Sequence, residues 1–375
     1  MKRTTLWVSG LGICVTGLIL FLAACSKSGG KSSTPPDSTT DTVLVNLGTN
    51  IIIPSYQQLA TTSATLDAAV GAFNTSPTLT TLDAVQTAFV QAYKAWAACS
   101  ELEFGPAADL YLTTHFTNSF PADTALIKAN AGGASYVIDG LGNYAAQGFP
   151  ALDYLLFAYG NDATLARFTT AGTASGARQY LAALTASLKS KTAAVATAWN
   201  ATGGNYIDRF SKGVGTDAGS SLSLLVNALV MDFDVNLQNY KIGIPIGQYG
   251  PSVLPKSPTK VEGYYGDLSD VLLVTQIKAF QNLYTGAAGG GLDDKVAATN
   301  AQSNGGSLND AIKTQWNTLL TKMQALPDPL SDGIQNNNSA VNDAYTAVRQ
   351  MTVLLKVDMS SALGIKISFQ DDDGD

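Results

Sequence analysis

The stretch GFPALDYLLF occupies residues 148–157, and its pattern predicts how this part of the chain folds. Proline favours the first turn of a helix, because its fixed φ fits there and its missing N–H would have no partner. Pro150 therefore predicts a helix start. Asp153 would lie in the first turn, where the helix dipole favours a negative charge. The leucines of the stretch would then face a core, so the simplest interpretation is a buried helix entry.

Apolar residues recur at intervals of three and four along most of the chain, which predicts helices nearly throughout. Helices of this kind cannot bury their apolar stripes alone, so we expect an all-α fold built from helical bundles. The stripes are Leu82, Val85, Phe89, Ala92, Trp96 and Cys99; Leu181, Leu184, Leu188, Val195 and Trp199; Leu222, Val226, Leu229, Phe233, Leu237 and Tyr240; Leu308, Ile312, Trp316, Leu319, Met323 and Leu326; and Val341, Tyr345, Val348, Thr352 and Leu355.

The N-terminus has the features of a bacterial lipoprotein signal. Lys2 and Arg3 precede a largely apolar run from Leu6 to Leu22, which is short for a membrane-spanning helix. The following Ala-Ala-Cys matches a lipobox, in which Cys25 would be acylated because its thiol is the acceptor nucleophile. Several acyl chains would anchor the protein stably to a membrane. An ordinary secretory signal with an incidental cysteine is the alternative.

Composition predicts how the chain is divided. We expect a signal peptide at residues 1–24, and a lipidated Cys25 with a flexible tether at 25–42, since that segment has almost nothing to bury. A first helical bundle at 43–202 and a second at 203–375, the latter with a Pro/Gly-rich loop and an acidic tail, would follow. Ser26 rather than aspartate follows the cysteine, and from this we expect the outer membrane, facing the periplasm.

Charge and rare residue types limit the function. The formal net charge of −7 argues against a nucleic-acid partner, which would need a basic face. Cys99 is the only cysteine beyond Cys25, so we expect a buried, unreactive thiol and no internal disulfide. His115 is the only histidine, which excludes a metal site made of several histidines. Carboxylates, amides and carbonyls would have to supply the ligands, and these suit hard cations.

The stretch at 148–157 resembles the G-x-H-x-x-E helix start of the imelysin-like family, also called peptidase family M75. Gly148 matches the motif glycine, whereas Pro150 stands where the family has histidine and Asp153 where it has glutamate. Matches in the same order cover most of the chain beyond Val43. They are Tyr93–Trp96, Glu101–Pro106, Ser220–Asn227, the run KIGIPIG at Lys241–Gly247, and Asp358–Gly364.

The resemblance implies an all-α fold of two helical bundles, arranged as a degenerate duplication with the motif helix near their interface. It also implies a role in the cell envelope, described for the family as peptide cleavage or as iron uptake. Metal-assisted peptide cleavage requires a metal-bound water or an equivalent nucleophile. Because proline cannot coordinate a metal, we expect a non-catalytic binding protein, with an M75-type metallopeptidase as the enzymatic alternative.

Our first hypothesis is a lipid-anchored accessory component of iron or other divalent-cation uptake, with an envelope iron-transport component as partner. Asp153 would be an acidic ligand of the cation, together with Glu101 or Glu103. The two glutamates are two residues apart and do not share a helix face. We therefore expect at most one of them to face the site and the other to be solvated.

Our second hypothesis is an interaction module that kept the fold and lost the metal. The loop at 243–266 would supply its recognition surface, with Tyr249, Tyr264 and Tyr265 as contact residues, although tyrosines more often pack than bind. The closing run Asp371–Asp375 resembles a calcium loop, but its glycine is misplaced and the chain stops before a twelfth-position glutamate. We expect a solvated acidic tail there.

Overall fold

A computed structural model of the chain describes residues 40–369. The predicted signal peptide, Cys25, most of the tether and Asp371–Asp375 lie outside the described residues. Within them the chain is helical nearly throughout, which confirms the predicted all-α class. None of the described helices combines the length and the apolar character needed to cross a membrane.

Ten helices lie in the first part of the described chain. In chain order they are α1 (Thr42–Asn46), α2 (Ile53–Thr75), α3 (Leu79–Ala97), α4 (Pro106–Asp109), α5 (Thr114–Thr117), α6 (Thr124–Ala131), α7 (Gly148–Phe157), α8 (Asn161–Thr169), α9 (Ala174–Trp199) and α10 (Tyr206–Lys212).

Eight further helices follow in the described residues. They are α11 (Ser221–Met231), α12 (Ile244–Ile246), α13 (Ser269–Thr285), α14 (Leu292–Ala298), α15 (Leu308–Gln324), α16 (Leu330–Gln335), α17 (Ser339–Thr352) and α18 (Ser360–Leu363). Two small antiparallel hairpins pair β1 (Gln248–Tyr249) with β2 (Ser252–Val253), and β3 (Gln302–Ser303) with β4 (Gly306–Ser307).

Six short segments have tighter or wider helical turns than an α-helix. Three-residue-per-turn helix forms at Ser100–Leu102, Leu141–Ala146 and Pro258–Lys260. The wider π-helix forms at Leu47–Ile52, Asp232–Gly243 and Val353–Met359. Such wide turns inside helices are rare and frequently occur at functional sites.

The long helices pack on one another through the predicted apolar stripes. α2 lies against α3 and α9, while α15 lies against α13 and α17, and α3 also contacts α13. α3 begins at a capping box in which Thr78 and Thr81 satisfy each other's backbone N–H groups. The described residues belong to one compact unit, and the division near residue 202 stays a prediction.

The stripe residues are buried as predicted, with two exceptions. Leu326 is only half-buried at the end of α15, and Tyr240 is 41% exposed. The prediction for Tyr240 was wrong because the segment 232–243 is π-helical, and its wider turn moves Tyr240 off the face expected for 3.6 residues per turn. Cys99 is buried as expected, its Sγ lies 3.3 Å from the Ala95 carbonyl oxygen, and burial raises the pKa of its thiol.

α7 is the motif helix, and its entry requires glycine. Gly148 has φ +67°, and a Cβ there would lie 2.0 Å from the Thr117 carbonyl oxygen. The next side chain, Phe149, stacks on Tyr93 of α3 with ring centroids 4.7 Å apart. A left-handed turn and an aromatic stack thus hold the start of α7 against α3.

Candidate functional site

Asp153 projects from α7 into the second half of the chain. Its Oδ2 accepts a hydrogen bond from the Tyr265 N–H at 3.0 Å, and its Oδ1 accepts one from the Gly266 N–H at 2.9 Å. The side chain is 2% exposed, and burial raises its pKa to about 7 against the opposing effect of the two N–H donors. Asp153 therefore holds the turn at 263–268 in place.

The second motif position offers no ligand. Pro150 lines, together with Asp153 and Tyr264, a cavity of about 20 Å³. That volume is room for about one water molecule. Pro150 carries no donor atom, and both Asp153 oxygens already accept backbone N–H groups. These residues do not fit the histidine and carboxylate pair that the family motif would use to hold a metal.

Other acidic side chains do not complete a metal centre around Asp153. Among residues 40–369, no three or more histidine, cysteine, aspartate and glutamate side chains are arranged so that they could hold a metal ion. The two predicted acidic ligands besides Asp153 are Glu101 and Glu103. The structure does not join either of them to Asp153 by a hydrogen bond.

Glu101 and Glu103 both point inward, which corrects the expectation that one would be solvated. Glu101 is 1% exposed, and its Oε2 has no hydrogen-bond partner within residues 40–369. Glu103 is half-buried, and its Oε1 accepts hydrogen bonds from the N–H and the hydroxyl of Thr114. The short three-residue-per-turn helix at Ser100–Leu102 turns both side chains inward, where an extended α3 would separate them.

Burial dominates the titration of both glutamates. Burial, followed by the nearby charge of Asp232, raises the pKa of Glu103 to about 8. Burial also raises the pKa of Glu101 to about 8, with Asp232 adding to the effect. Both side chains therefore favour the protonated form over the acidic and neutral pH range.

A buried ion pair lies beside these glutamates, and Asn118 links it to the first half of the chain. Lys241 Nζ lies 2.9 Å from Glu262 Oε2, and the two side chains are 2% and 1% exposed. Asn118 Nδ2 donates to Glu262 Oε1 at 2.6 Å, and the Tyr93 hydroxyl donates to Asn118 Oδ1 at 2.7 Å. The Glu262 carboxylate is thus held by a charge and by an amide from the first half.

Gln276 connects Lys241 to the carboxylate of Asp232, which accepts hydrogen bonds from three side chains. Lys241 Nζ donates to Gln276 Oε1 at 2.8 Å, and Gln276 Nε2 donates to Asp232 Oδ2 at 2.8 Å. Ser100 Oγ also donates to Asp232 Oδ2 at 2.9 Å, and Asn236 Nδ2 donates to Oδ1 at 2.8 Å. We call these residues the buried polar network: Ser100, Asn118, Asp232, Asn236, Lys241, Glu262 and Gln276.

The π-helical turn at 232–243 supplies three members of the buried polar network. Asp232, Asn236 and Lys241 all face the interior from this one segment. In the sequence only Lys241 stood out, as part of the run KIGIPIG, whereas nothing there singled out Asp232 or Asn236. One signal was available, because the chain contains three glutamates, Glu101, Glu103 and Glu262, and all three lie at this buried region.

His115 lies on α5, directly after Thr114, the residue that donates hydrogen bonds to Glu103. Its ring is exposed and stacks on Tyr144, with centroids 4.7 Å apart, and meets Phe116 edge-on at 4.9 Å. Its ring contacts are aromatic, and no carboxylate or nucleophile is hydrogen-bonded to it within residues 40–369. Nothing in this geometry makes it a general base.

Comparison with known proteins supports the assignment suggested by the motif helix. A crystal structure of an imelysin-like protein from Psychrobacter arcticum 273-4 matches 87% of this chain and 96% of its own, with 18% identity and a TM-score of 0.64. A structure from Parabacteroides distasonis ATCC 8503, named as an iron-regulated protein A precursor, matches 86% and 94%, with 17% identity and a TM-score of 0.67. No curated protein matches the chain. The sequence model of the family Imelysin, peptidase M75, matches residues 52–355, and the chain therefore belongs to the imelysin family.

Proposed function

We propose that this chain is a non-catalytic binding protein of the bacterial cell envelope, anchored through Cys25, with an accessory role in the uptake of iron or another cation. The observation that carries the proposal is the use of Asp153. Its carboxylate holds the 263–268 turn through Tyr265 and Gly266, beside a proline in the histidine position. The motif helix thus serves to join the two halves of the chain.

The same geometry argues against a metallopeptidase. Hydrolysis by such an enzyme requires a metal-bound water and an open position for the substrate. The cavity at the motif position has a volume of about 20 Å³, and Asp153 is the one carboxylate in its lining. His115 stands elsewhere and has aromatic neighbours.

The link to iron comes from the relatives. Membership of the imelysin family and the name of the Parabacteroides distasonis protein support a role connected with iron. The predicted lipobox supports the envelope location. We expect the outer membrane, facing the periplasm, and an iron-transport component as partner.

Cleavage and metal titration test the non-catalytic part of the proposal. The full chain should leave a protein substrate intact with and without a chelator, and robust chelator-sensitive cleavage would overturn the proposal. Calorimetric titration with ferrous, ferric and calcium ions should give the same result for the wild type and Asp153→Asn. Binding that disappears in Asp153→Asn would instead make Asp153 a ligand, as our first hypothesis holds.

A restored motif provides the matched control for that titration. The double variant Pro150→His with Asp153→Glu recreates the G-x-H-x-x-E spacing on α7. If the substitutions in this chain are what removed the metal centre, the double variant should gain affinity for a divalent ion. A folded double variant with no gain would show that other residues also decide metal binding.

Cell experiments test the accessory role. Cells lacking this chain should take up iron more slowly under iron limitation, and the wild-type gene should restore uptake. Cys25→Ala should release the protein from membranes and fail to restore uptake. Unchanged uptake in the deletion strain would contradict the proposed role.

The interaction module remains a second candidate because of the β1–β2 hairpin. Val253 is 80% exposed and Leu254 is 41% exposed, so the hairpin presents apolar side chains to solvent. If this surface binds a protein partner, Val253→Asp should reduce the partner's co-purification from membranes. The matched surface variant Thr321→Asp should leave co-purification unchanged.

A further inference from the structure

A cavity of about 240 Å³ lies where α6, α8 and the start of α9 meet. Its polar lining comes from Lys128, Arg167 and Thr173, and its apolar wall includes Leu155 and Phe168. It shares Leu155 with the motif helix, but none of its lining residues belongs to the buried polar network. The cavity therefore needs its own explanation.

Lys128 and Arg167 bring two positive charges to this cavity from different helices. Within residues 40–369 neither of them forms an ion pair. Both residues lie in the last turn of their helix, where a cation offsets the helix dipole. The dipole explains the position of each cation on its own helix. It does not explain why both cations line one cavity whose lining has no acidic side chain.

A pair of tyrosines positions the two cations. The hydroxyl oxygens of Tyr154 and Tyr159 lie 2.8 Å apart. Arg167 Cζ lies 4.4 Å from the centroid of the Tyr159 ring, and Lys128 Nζ lies 5.9 Å from that of Tyr154. Attraction between a cation and an aromatic face favours both placements. The charged groups are therefore held near the cavity without the help of a carboxylate.

The charges of Arg167 and Lys128 contribute to the titration of Tyr159. A hydrogen bond with Tyr154 lowers the pKa of Tyr159, and the charges of Arg167 and Lys128 lower it further. Burial raises the pKa of eight other described tyrosines. Two positive charges thus meet at this corner in a chain whose net charge is −7.

We propose that this cavity binds a phosphate-class oxyanion, either free phosphate or the phosphate of a small monoester. The guanidinium fork of Arg167 matches two phosphate oxygens, and Lys128 adds a point charge. A tetrahedral oxyanion presents acceptors in several directions, which suits donors from α6, α8 and Thr173 better than a planar carboxylate would. The apolar wall leaves room for the organic part of a monoester. This inference does not depend on the proposed role in iron uptake.

Calorimetric titration of the full chain, purified in detergent, tests the proposal. The probes are inorganic phosphate, glycerol phosphate and, as a planar dianion, succinate. Both phosphates should bind, and succinate should bind more weakly. Arg167→Gln and Lys128→Gln should each weaken phosphate binding by about tenfold, equal to about 1.4 kcal/mol.

Arg209→Gln is the matched control. Arg209 also lies in the last turn of a short helix and over a tyrosine ring, with Cζ 5.6 Å from the Tyr206 centroid. It lines no part of the cavity, so its removal should leave phosphate binding unchanged. Circular dichroism should show that each variant is folded.

Three results would overturn the proposal. The first is the absence of phosphate binding by the folded wild type at millimolar concentrations. The second is an equal loss in Arg209→Gln, which would indicate a diffuse effect of charge. The third is tighter binding of succinate than of either phosphate, which would reject the phosphate class.

Discussion

The buried carboxylates of Asp153 and Glu262 both connect the first half of the chain to the second, yet they are stabilised in different ways. Asp153 is compensated by two backbone N–H groups of the 263–268 turn. Glu262 is compensated by a full positive charge and by the Asn118 amide. With only backbone N–H groups as its partners, the buried Asp153 carboxylate has a pKa of about 7. A buried charge pair makes each partner depend on the other.

The largest expected effect is the loss of the positive charge at Lys241. Lys241→Met should lower the free energy of unfolding by about 3–5 kcal/mol, because Glu262 would be left buried without its partner. Urea denaturation measures this. Lys322→Met removes an exposed pair with Asp343 and should cost less than about 1 kcal/mol.

A second variant distinguishes charge from packing in that result. Lys241→Met with Glu262→Gln removes both charges and should recover part of the lost stability. If the double variant is less stable than Lys241→Met alone, the Lys241–Glu262 pair is not what the single substitution disrupts.

Asp153 should be less costly to remove. Asp153→Ala leaves the Tyr265 and Gly266 N–H groups without an acceptor, and we expect a loss of about 2 kcal/mol, because both residues are partly exposed and water replaces some of the bonding. Asp153→Asn keeps one acceptor oxygen and should lose less. Urea denaturation near pH 6 compares them, and an Asp153→Ala loss as large as that of Lys241→Met would erase the contrast between the two regions.

Glu101 offers a test through pH. Here the substitution should raise stability relative to the wild type at high pH, whereas the substitutions above lower it. Its pKa is raised to about 8 in the folded chain, so the folded state binds more protons than the unfolded state between about pH 4.5 and pH 8. The stability from this group is present at acidic pH and is lost as the pH rises through about 8. Glu101→Gln cannot ionise, so its Tm relative to the wild type should rise from pH 5 to pH 9.

The surface variant Asp343→Asn controls for general effects of charge. Its Tm should follow that of the wild type over this pH range, because the Asp343 side chain is 56% exposed. A constant difference between Glu101→Gln and the wild type would mean that folding does not raise the pKa of Glu101.

The smallest expected effect is at Ser100. Ser100→Ala removes one of three donors to the Asp232 carboxylate and should cost about 1 kcal/mol, because Gln276 and Asn236 remain. Urea denaturation can resolve this. A loss above that of Asp153→Ala would mean that the donors to Asp232 act cooperatively.

The helices were predictable from the sequence because apolar spacing reports the buried face of a helix directly. The stripe from Leu82 to Cys99 is buried, and the same rule failed at Tyr240, where the backbone is π-helical. Periodicity also does not say which buried faces meet. Ser100, Asp232 and Gln276 are far apart in sequence and come together only through the packing of α13 beside α3 and the 232–243 segment.

The site was predictable only in part, for a related reason. The motif position showed that Pro150 supplies no ligand, but the partners of Asp153 are backbone groups, which no side-chain pattern reveals. Glu101 and Glu103 were predicted to lie on different faces of a helix end, with one of them solvated. The short turn at Ser100–Leu102 has a different geometry and buries Glu101 while leaving Glu103 half-buried.

Because the segment Asp232–Gly243 is π-helical, the number of residues within it decides which of its side chains face the interior. Each residue added to or removed from an α-helix rotates everything beyond it by about 100°. Deleting one residue between Asp232 and Lys241, such as Val235, would let the segment relax to an α-helix while Lys241 turned away from Glu262. Relatives that differ by a single residue within this segment should therefore have a different set of buried polar residues, even where the flanking helices align without a gap.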